Sequence, residues 1–458
     1  MLNKIYSDLF KSRIDYFALF LISSAIVVVF SVFNQQSTEN YYPDIIQTIV
    51  NSGNLPPNNA CEICDQPQVY SFISAILIKI TGLQSILIPQ LLSAIGIVIS
   101  LLILIQIIDE FHWRNSVQGY VFALMALNPA LIKLGAMAQP DALCLLFALA
   151  AIWSLQKSIE SISPKSILIF TIWALFASLM KSAGLIVFFA GILILLYNTF
   201  FQNNTKQHVK TIVASILIFL VISYWAGGYL RNFESHQQFT TIAPPNEKPN
   251  WFENTEVQNP GLRSISDGLC TFRFYNLLQR PHNIDGAVFP AHRTSLWSQL
   301  YGNFWFAHFA QKPSSHEDLS PETLNTGRII FLLALFPSLL FVLGFWSSFI
   351  AALKKMVTRA EFYSIHFEGA LILLTLTSLF FVIKHVLQYR DYTHMNINLL
   401  LPFCAGFLYF LGKKWDVMLD GYSKWFKNFS SFAIILLLMA QVQDLGKLIL
   451  AVYSIYKI

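Results

Sequence analysis

SILIFTIWALFASLMKSAGLIVFFAGILILLYNTF, residues 166–200, decides the architecture, because Lys181 is the only charged side chain in it. As one helix at about 1.5 Å per residue it would measure about 52 Å, against a hydrocarbon core of about 30 Å. The run is therefore a hairpin of two spans, and Lys181-Ser-Ala-Gly184 is its break. Apolar stretches of about 17–25 residues, each long enough for one crossing, recur along nearly the whole chain. Of the 458 residues, 55% are hydrophobic, 15% aromatic and only 12% charged, where an ordinary soluble domain has roughly 25% charged. The chain is an all-α polytopic membrane protein. A β-barrel is excluded, since its strands alternate apolar and polar residues instead of running solidly apolar. The net charge of +5 does not point to nucleic acid, because the basic residues sit in short loops where they set topology.

Lys4, Lys11 and Arg13 precede the first apolar segment, Ile14 to Phe33, and by the positive-inside rule hold the amino terminus in the cytoplasm. No small-residue cleavage pattern follows that segment, so it is read as a retained anchor. The next apolar stretch, Gln66 to Gly82, is about long enough to cross but carries Gln66, Gln68, Ser71, Ser74 and Lys79. Charge decides its placement. Laid along the outer interface as an amphipathic helix, it leaves Arg114, Lys157, Lys165, Lys206, Lys210, Lys354, Lys355, Arg359, Lys413, Lys414, Lys424 and Lys427 all cytoplasmic. Spans are then expected at 84–108, 117–135, 142–155, 166–180, 182–199, 212–229, 329–352, 370–385, 395–411 and 431–443. With the first segment that makes about eleven helices.

The chain divides into an amino-terminal membrane part, 1–229, with a first outer loop at 34–83; a polar outer segment, 230–327; and a carboxy-terminal membrane part, 328–458. The middle segment is marked by Pro244-Pro245, Pro249 and Asn259-Pro260-Gly261. Its last part, Ser295 to His308, interleaves aromatics with small polar residues, as a helix lying on the bilayer does. No repeat of the kind that marks inverted-repeat transporters is present.

Chemistry-bearing residues gather on the outer side. Asp44 lies in the first outer loop and Asp141 in the short turn Gln139-Pro140-Asp141. Asp141 also stands at a helix start, where a carboxylate is favoured by the macrodipole, so plain capping competes with a catalytic role. Lys133, Lys181 and Lys384 sit within or at the outer ends of apolar spans, where snorkelling to the headgroups is the competing reading. Arg390 joins them from a short outer loop, and its planar fork suits phosphate oxygens. Of five cysteines only Cys61 and Cys64 are close in sequence. On an oxidising side a short disulfide that pins the loop is the leading reading; a zinc site would need ligands beyond one Cys-x-x-Cys. His236, His282, His292, His308 and His316 lack ligand spacing and are read as surface or interface residues.

Tyr42-Pro43-Asp44-Ile-Ile-Gln-Thr-Ile-Val-Asn-Ser-Gly53-Asn-Leu-Pro-Pro57, followed by Cys-x-x-Cys, Gln66-Pro67-Gln68-Val-Tyr70 and Ile80-Thr-Gly82, resembles the first outer loop of C-type glycosyltransferases. These are the dolichyl-phosphate-mannose protein mannosyltransferases and bacterial relatives such as the lipid A aminoarabinose transferases. Asn128-Pro129, Pro140-Asp141, Met180-Lys181-Ser-Ala-Gly184 and Arg390 fall where that family has comparable motifs. The resemblance implies the family's fold, with outer juxtamembrane helices and one long outer loop. It implies transfer of a hexosyl or pentosyl group from a polyprenyl phosphate to a lipid, glycan or protein acceptor at the outer, periplasmic face of the plasma (inner) membrane. It further implies Asp44 as general base, Asp141 assisting, and Lys181, Arg390, Lys384 and Tyr70 on the substrates, with the bilayer as the other partner and no cofactor. Three departures stand out: Ile45 replaces a second acid after Asp44, which leaves no acidic pair for a metal; Gln139 replaces an Arg; and Pro67-Gln68 replaces Pro-Pro. A transporter or flippase, or a non-catalytic or polymerase partner in envelope glycan assembly, would share the spans without needing Asp44.

Overall fold

The computed structural model describes residues 14–33, 42–56, 64, 66–83, 86–201, 205–228, 265–282, 291–309, 320–358, 367–389, 397–421 and 424–455. Among the described residues every regular element is a helix. In chain order they are α1 (Ile14–Phe33), α2 (Tyr42–Ser52), α3 (Val69–Thr81), α4 (Leu87–Asp109), α5 (Asn115–Ala126), α6 (Pro129–Gly135), α7 (Asp141–Glu160), α8 (Pro164–Met180), α9 (Gly184–Phe201) and α10 (Thr205–Ala226). The short helices α11 (Ile265–Cys270), α12 (Phe274–Gln279) and α13 (Leu296–Trp305) follow, then α14 (Pro321–Thr358), α15 (Phe367–Tyr389), α16 (Cys404–Gly421) and α17 (Lys424–Ile455).

The protein is a multi-pass membrane protein. Seven of the described helices are long and apolar enough to cross a bilayer, or eight with the bent pair α5–α6 taken as one span. Each expected span contains a described helix, but α8 and α9 are shorter than that standard and α16 is not among the helices that meet it, so the expected eleven are not all matched. Boundaries differ at the carboxy-terminal end. α14 has 38 residues and α17 has 32, well beyond the expected 329–352 and 431–443. The expected span from Met395 begins as helix only at Cys404, after 3₁₀ turns at Ile397–Leu399 and Leu401–Phe403. α3, at 13 residues, is about 20 Å long and too short to cross at about 1.5 Å per residue.

The hairpin break falls where the sequence placed it. Lys181 is extended, its amide bonds the Ala177 carbonyl at 3.1 Å, and the Gly184 amide bonds the Lys181 carbonyl at 2.9 Å. α5 and α6 meet at a bend of 49°. Pro129 opens α6 at its first position, where a missing N–H costs nothing, and the Asn128 side chain caps it by accepting from the Leu131 amide at 3.1 Å.

That bend also anchors α13. Asn128 Nδ2 donates to the Phe304 carbonyl at 3.0 Å, and Lys133 Nζ donates to the Ala307 carbonyl at 2.9 Å. From the other side Asp444, on α17, accepts from the Ala307 amide at 2.8 Å and pairs with His308 Nδ1 at 2.6 Å. Two sequence expectations are corrected here. His308 and His292, read as surface or interface residues, are buried, whereas Lys133, for which snorkelling was the competing reading, is tied to protein backbone. α13 does not lie on the bilayer: apart from Trp297 and Asn303 its residues are buried, wedged against α6 and α14.

Leaving a buried polar group without its hydrogen-bond partner typically costs about 1–3 kcal/mol, more for a charged one, and Asp444 has no exposed side-chain surface. Asp444→Ala is therefore expected to lower the unfolding midpoint of the purified protein in detergent. His308→Ala added to that variant is expected to cost little more, because the two side chains act as one unit.

Candidate active site

Asp141 is the first residue of α7, behind Pro140. Its side chain does not cap the helix. It forms an ion pair with Lys181 Nζ at 2.5 Å, with only 6% of the Asp141 side chain and 19% of the Lys181 side chain exposed. Each charge stands where a helix favours it, the carboxylate at the amino end of α7 and the ammonium at the carboxyl end of α8. Two residues assigned to different roles on sequence grounds are thus one buried pair.

The first outer loop packs beside it. α2 is amphipathic, with Tyr42, Ile45, Ile46 and Ile49 buried and Asp44, Gln47 and Thr48 exposed. Tyr42 meets Tyr70 of α3 edge to face at 6.2 Å between ring centroids, a preferred geometry for aromatic pairs. Tyr42 donates to Gln66 Oε1 at 2.9 Å, and Tyr70 donates to the Pro89 carbonyl at 2.7 Å while lying 3.0 Å from Ser93 Oγ. Ser93 Oγ in turn donates to the Gln139 carbonyl at 3.1 Å, two residues before Asp141. α2, α3 and α4 are thereby laced to the turn that presents Asp141. Burial, and after it the Asp141 carboxylate, push the Tyr42 phenol well above its usual range. Burial raises the Tyr70 phenol as well, so both remain hydroxyl donors at neutral pH.

Asp44 stands in the first turn of α2, exposed, its carbonyl accepting from Thr48 Oγ1 at 2.8 Å. Cys64 is disulfide-bonded; Cys61 and Arg390 lie outside the described residues. Lys384 is exposed on α15. The structure thus groups Asp141, Lys181 and Tyr70, with Asp44 on the exposed side of the helix that carries Tyr42. Sequence reading missed Tyr42, Gln66 and Ser93, which are ordinary polar residues until folding brings them to one place. It also missed Asp444, for which a signal existed: an acid inside an apolar final helix is costly and so needs a partner. Among the described residues no three His, Cys, Asp or Glu side chains gather as metal ligands would. A separate apolar cavity of about 240 Å³ lies between α13, α14, α15 and α16, walled by Trp297, Tyr301, Phe304, Phe341, Phe403 and Phe407.

Residues 65–225 match the model of the family described as dolichyl-phosphate-mannose-protein mannosyltransferase. The resemblance read from the first outer loop therefore holds over a stretch that contains Tyr70, Asp141 and Lys181. No curated protein matches the chain. Among solved structures it is similar to ArnT from Cupriavidus metallidurans bound to undecaprenyl phosphate, at 11% identity over 88% of this chain and 78% of that one, with a TM-score of 0.36. The same protein in the apo state matches at 11% identity over 87% and 77%, with a TM-score of 0.37.

A Cβ at Gly184 would fall inside the Ala177 carbonyl and the Ser178 amide, backbone atoms that cannot step aside. Gly184→Ala must open the hairpin next to Lys181. It is expected to cost about 1–3 kcal/mol, as overpacking does, visible as a lower unfolding midpoint.

Proposed function

We propose that the protein is a membrane glycosyltransferase that moves a sugar from a polyprenyl phosphate to a hydroxyl of a lipid, glycan or protein acceptor. The observation that carries this reading is the buried Asp141–Lys181 pair, tied to α2 and α3 through Ser93 and Tyr70 and lying in the stretch that matches the mannosyltransferase family. The reaction is an inverting single displacement at the outer face of the plasma membrane. Asp44, whose carboxylate faces water, takes the proton of the acceptor hydroxyl as its oxygen bonds the anomeric carbon. The bond from that carbon to the phosphate oxygen breaks, and the electron pair leaves with the phosphate. Lys181 stabilises the charge that develops there, with Arg390 and Lys384 as further cations for the carrier. Tyr70 holds the loop against the site instead of touching the sugar, since its hydroxyl is already committed.

A flippase is the second reading, favoured by the interrupted span at α5–α6, a feature that transporters use near the midplane. Movement of labelled polyprenyl phosphate across proteoliposomes, with no transfer of sugar, would select it.

Transfer is expected to need no divalent ion, because Ile45 stands where a second acid would complete a metal-binding pair. Loss of activity on chelation that an added divalent ion restores would overturn this. Asp44→Asn keeps the shape but cannot take a proton. Transfer by the purified variant is expected to fall by about 10²–10⁴-fold, the usual contribution of a positioned general base, with normal membrane insertion. If Asp44 merely favours the start of α2, Asn serves about as well and the rate stays near wild type.

A further inference from the structure

We propose that Asp141 is an internal rival of the carrier phosphate: it holds Lys181 until a phosphate displaces it, and it drives the spent carrier off after transfer. The inference rests on the glycosyltransferase reading and assigns Asp141 a positioning role in it, acting through Lys181.

The geometry supports an exchange of partners. The Lys181 backbone is fixed on both sides of the break, by its amide on the Ala177 carbonyl and by the Gly184 amide on its carbonyl. Its long side chain is therefore the part free to turn. When the pair opens, neither charge is stranded. Asp141 keeps the positive end of α7, and Lys181 keeps the negative end of α8. The two helices are connected only through the short turn at 161–163 and face each other along their length, so the exchange needs no movement of the scaffold. Tyr42 and Tyr70 are both buried and both feel the Asp141 carboxylate, and in surroundings withdrawn from water the competition between two anions for one cation is strong.

Charge makes the rivalry directional. A sugar on a polyprenyl phosphate makes a phosphodiester with one negative charge. Once the sugar leaves, the carrier is a phosphate monoester with about −1.5 to −2 charge at pH 7. Lys181 alone would hold that product more tightly than the donor and stall turnover. A carboxylate already within 2.5 Å of the same ammonium repels the product more than the donor, in proportion to charge, and reclaims Lys181 as the product leaves.

The test is binding to the purified full chain in lipid nanodiscs, with undecaprenyl phosphate as the monoester and its methyl phosphodiester as the donor-like probe. Undecaprenol and inorganic phosphate separate the contributions of tail and headgroup. In Asp141→Asn, undecaprenyl phosphate is expected to bind about tenfold or more tighter, the worth of one charge-assisted contact, and the diester to tighten less. Lys181→Gln is expected to weaken both, and undecaprenol to bind all three forms alike. Asp141→Ser, also neutral, is measured in parallel so that poor folding of one variant does not decide the result. In turnover the neutral variants should show stronger inhibition by added undecaprenyl phosphate. A pair that only braces the fold cannot yield a gain in affinity. Wild-type binding of undecaprenyl phosphate with unchanged or weaker binding in both neutral variants overturns the rivalry alone. Absence of phosphate-dependent binding in every form, wild type included, overturns the glycosyltransferase reading with it.

Discussion

An unpaired backbone amide or carbonyl in an apolar slab costs several kcal/mol, and this one constraint dictates how the chain breaks its helices. Each break is closed by named groups. At Asn128-Pro129 the ring removes an amide and the Asn128 side chain supplies the missing acceptor. At Lys181 to Gly184 the backbone bonds itself across the turn, which requires the close approach that only glycine permits at 184. Past Trp305 the chain leaves α13, and Lys133, His308 and Asp444 converge on the Ala307–His308 stretch. The Asp141–Lys181 pair lies beside a break without closing any of its backbone groups.

The two ends of the bundle use charge differently. At the end opposite Asp141, Arg114 pairs with Asp416 and Asp420, Lys157 with Glu110, and Lys413 with Glu368, all with side chains a fifth or more exposed. Such pairs contribute little individually, about 0–1 kcal/mol. Asp141 and Lys181 are largely withdrawn from water. A pair in that setting rarely gains net stability over well-packed apolar residues, so its presence asks for a reason other than stability.

Hydropathy and spacing made the helical architecture legible: the 166–200 hairpin, a helix within 66–82 too short to cross, and the break after Met180 all appear where the sequence places them. Charge bias and turn chemistry are local properties, which is why they could be read without neighbours. α13 was read as a membrane-surface helix because its aromatics and small polar residues alternate as such helices do. Its burial depends on groups from α5–α6 and α17, more than a hundred residues away on either side. Helix ends in the last third were misjudged for a related reason, since α14 and α17 continue through polar residues that Lys447 and Glu322 bring together at 3.8 Å.

For the site, the sequence alone determined which residues were unusual: Asp44 between two apolar segments, Asp141 at a helix start, and Lys181 at the one charged point of a long apolar run. A charge in an apolar context is conspicuous at any resolution of structure, because its cost does not depend on which partner relieves it. Tertiary structure decided the partners. It joined Asp141 to Lys181 across 40 residues, left Asp44 exposed on the far side of α2 from the buried Tyr42, and gave Lys133 a backbone carbonyl 174 residues away. Pairing is a matter of distance and direction in three dimensions, fixed by how helices pack, and one-dimensional spacing carries no record of it.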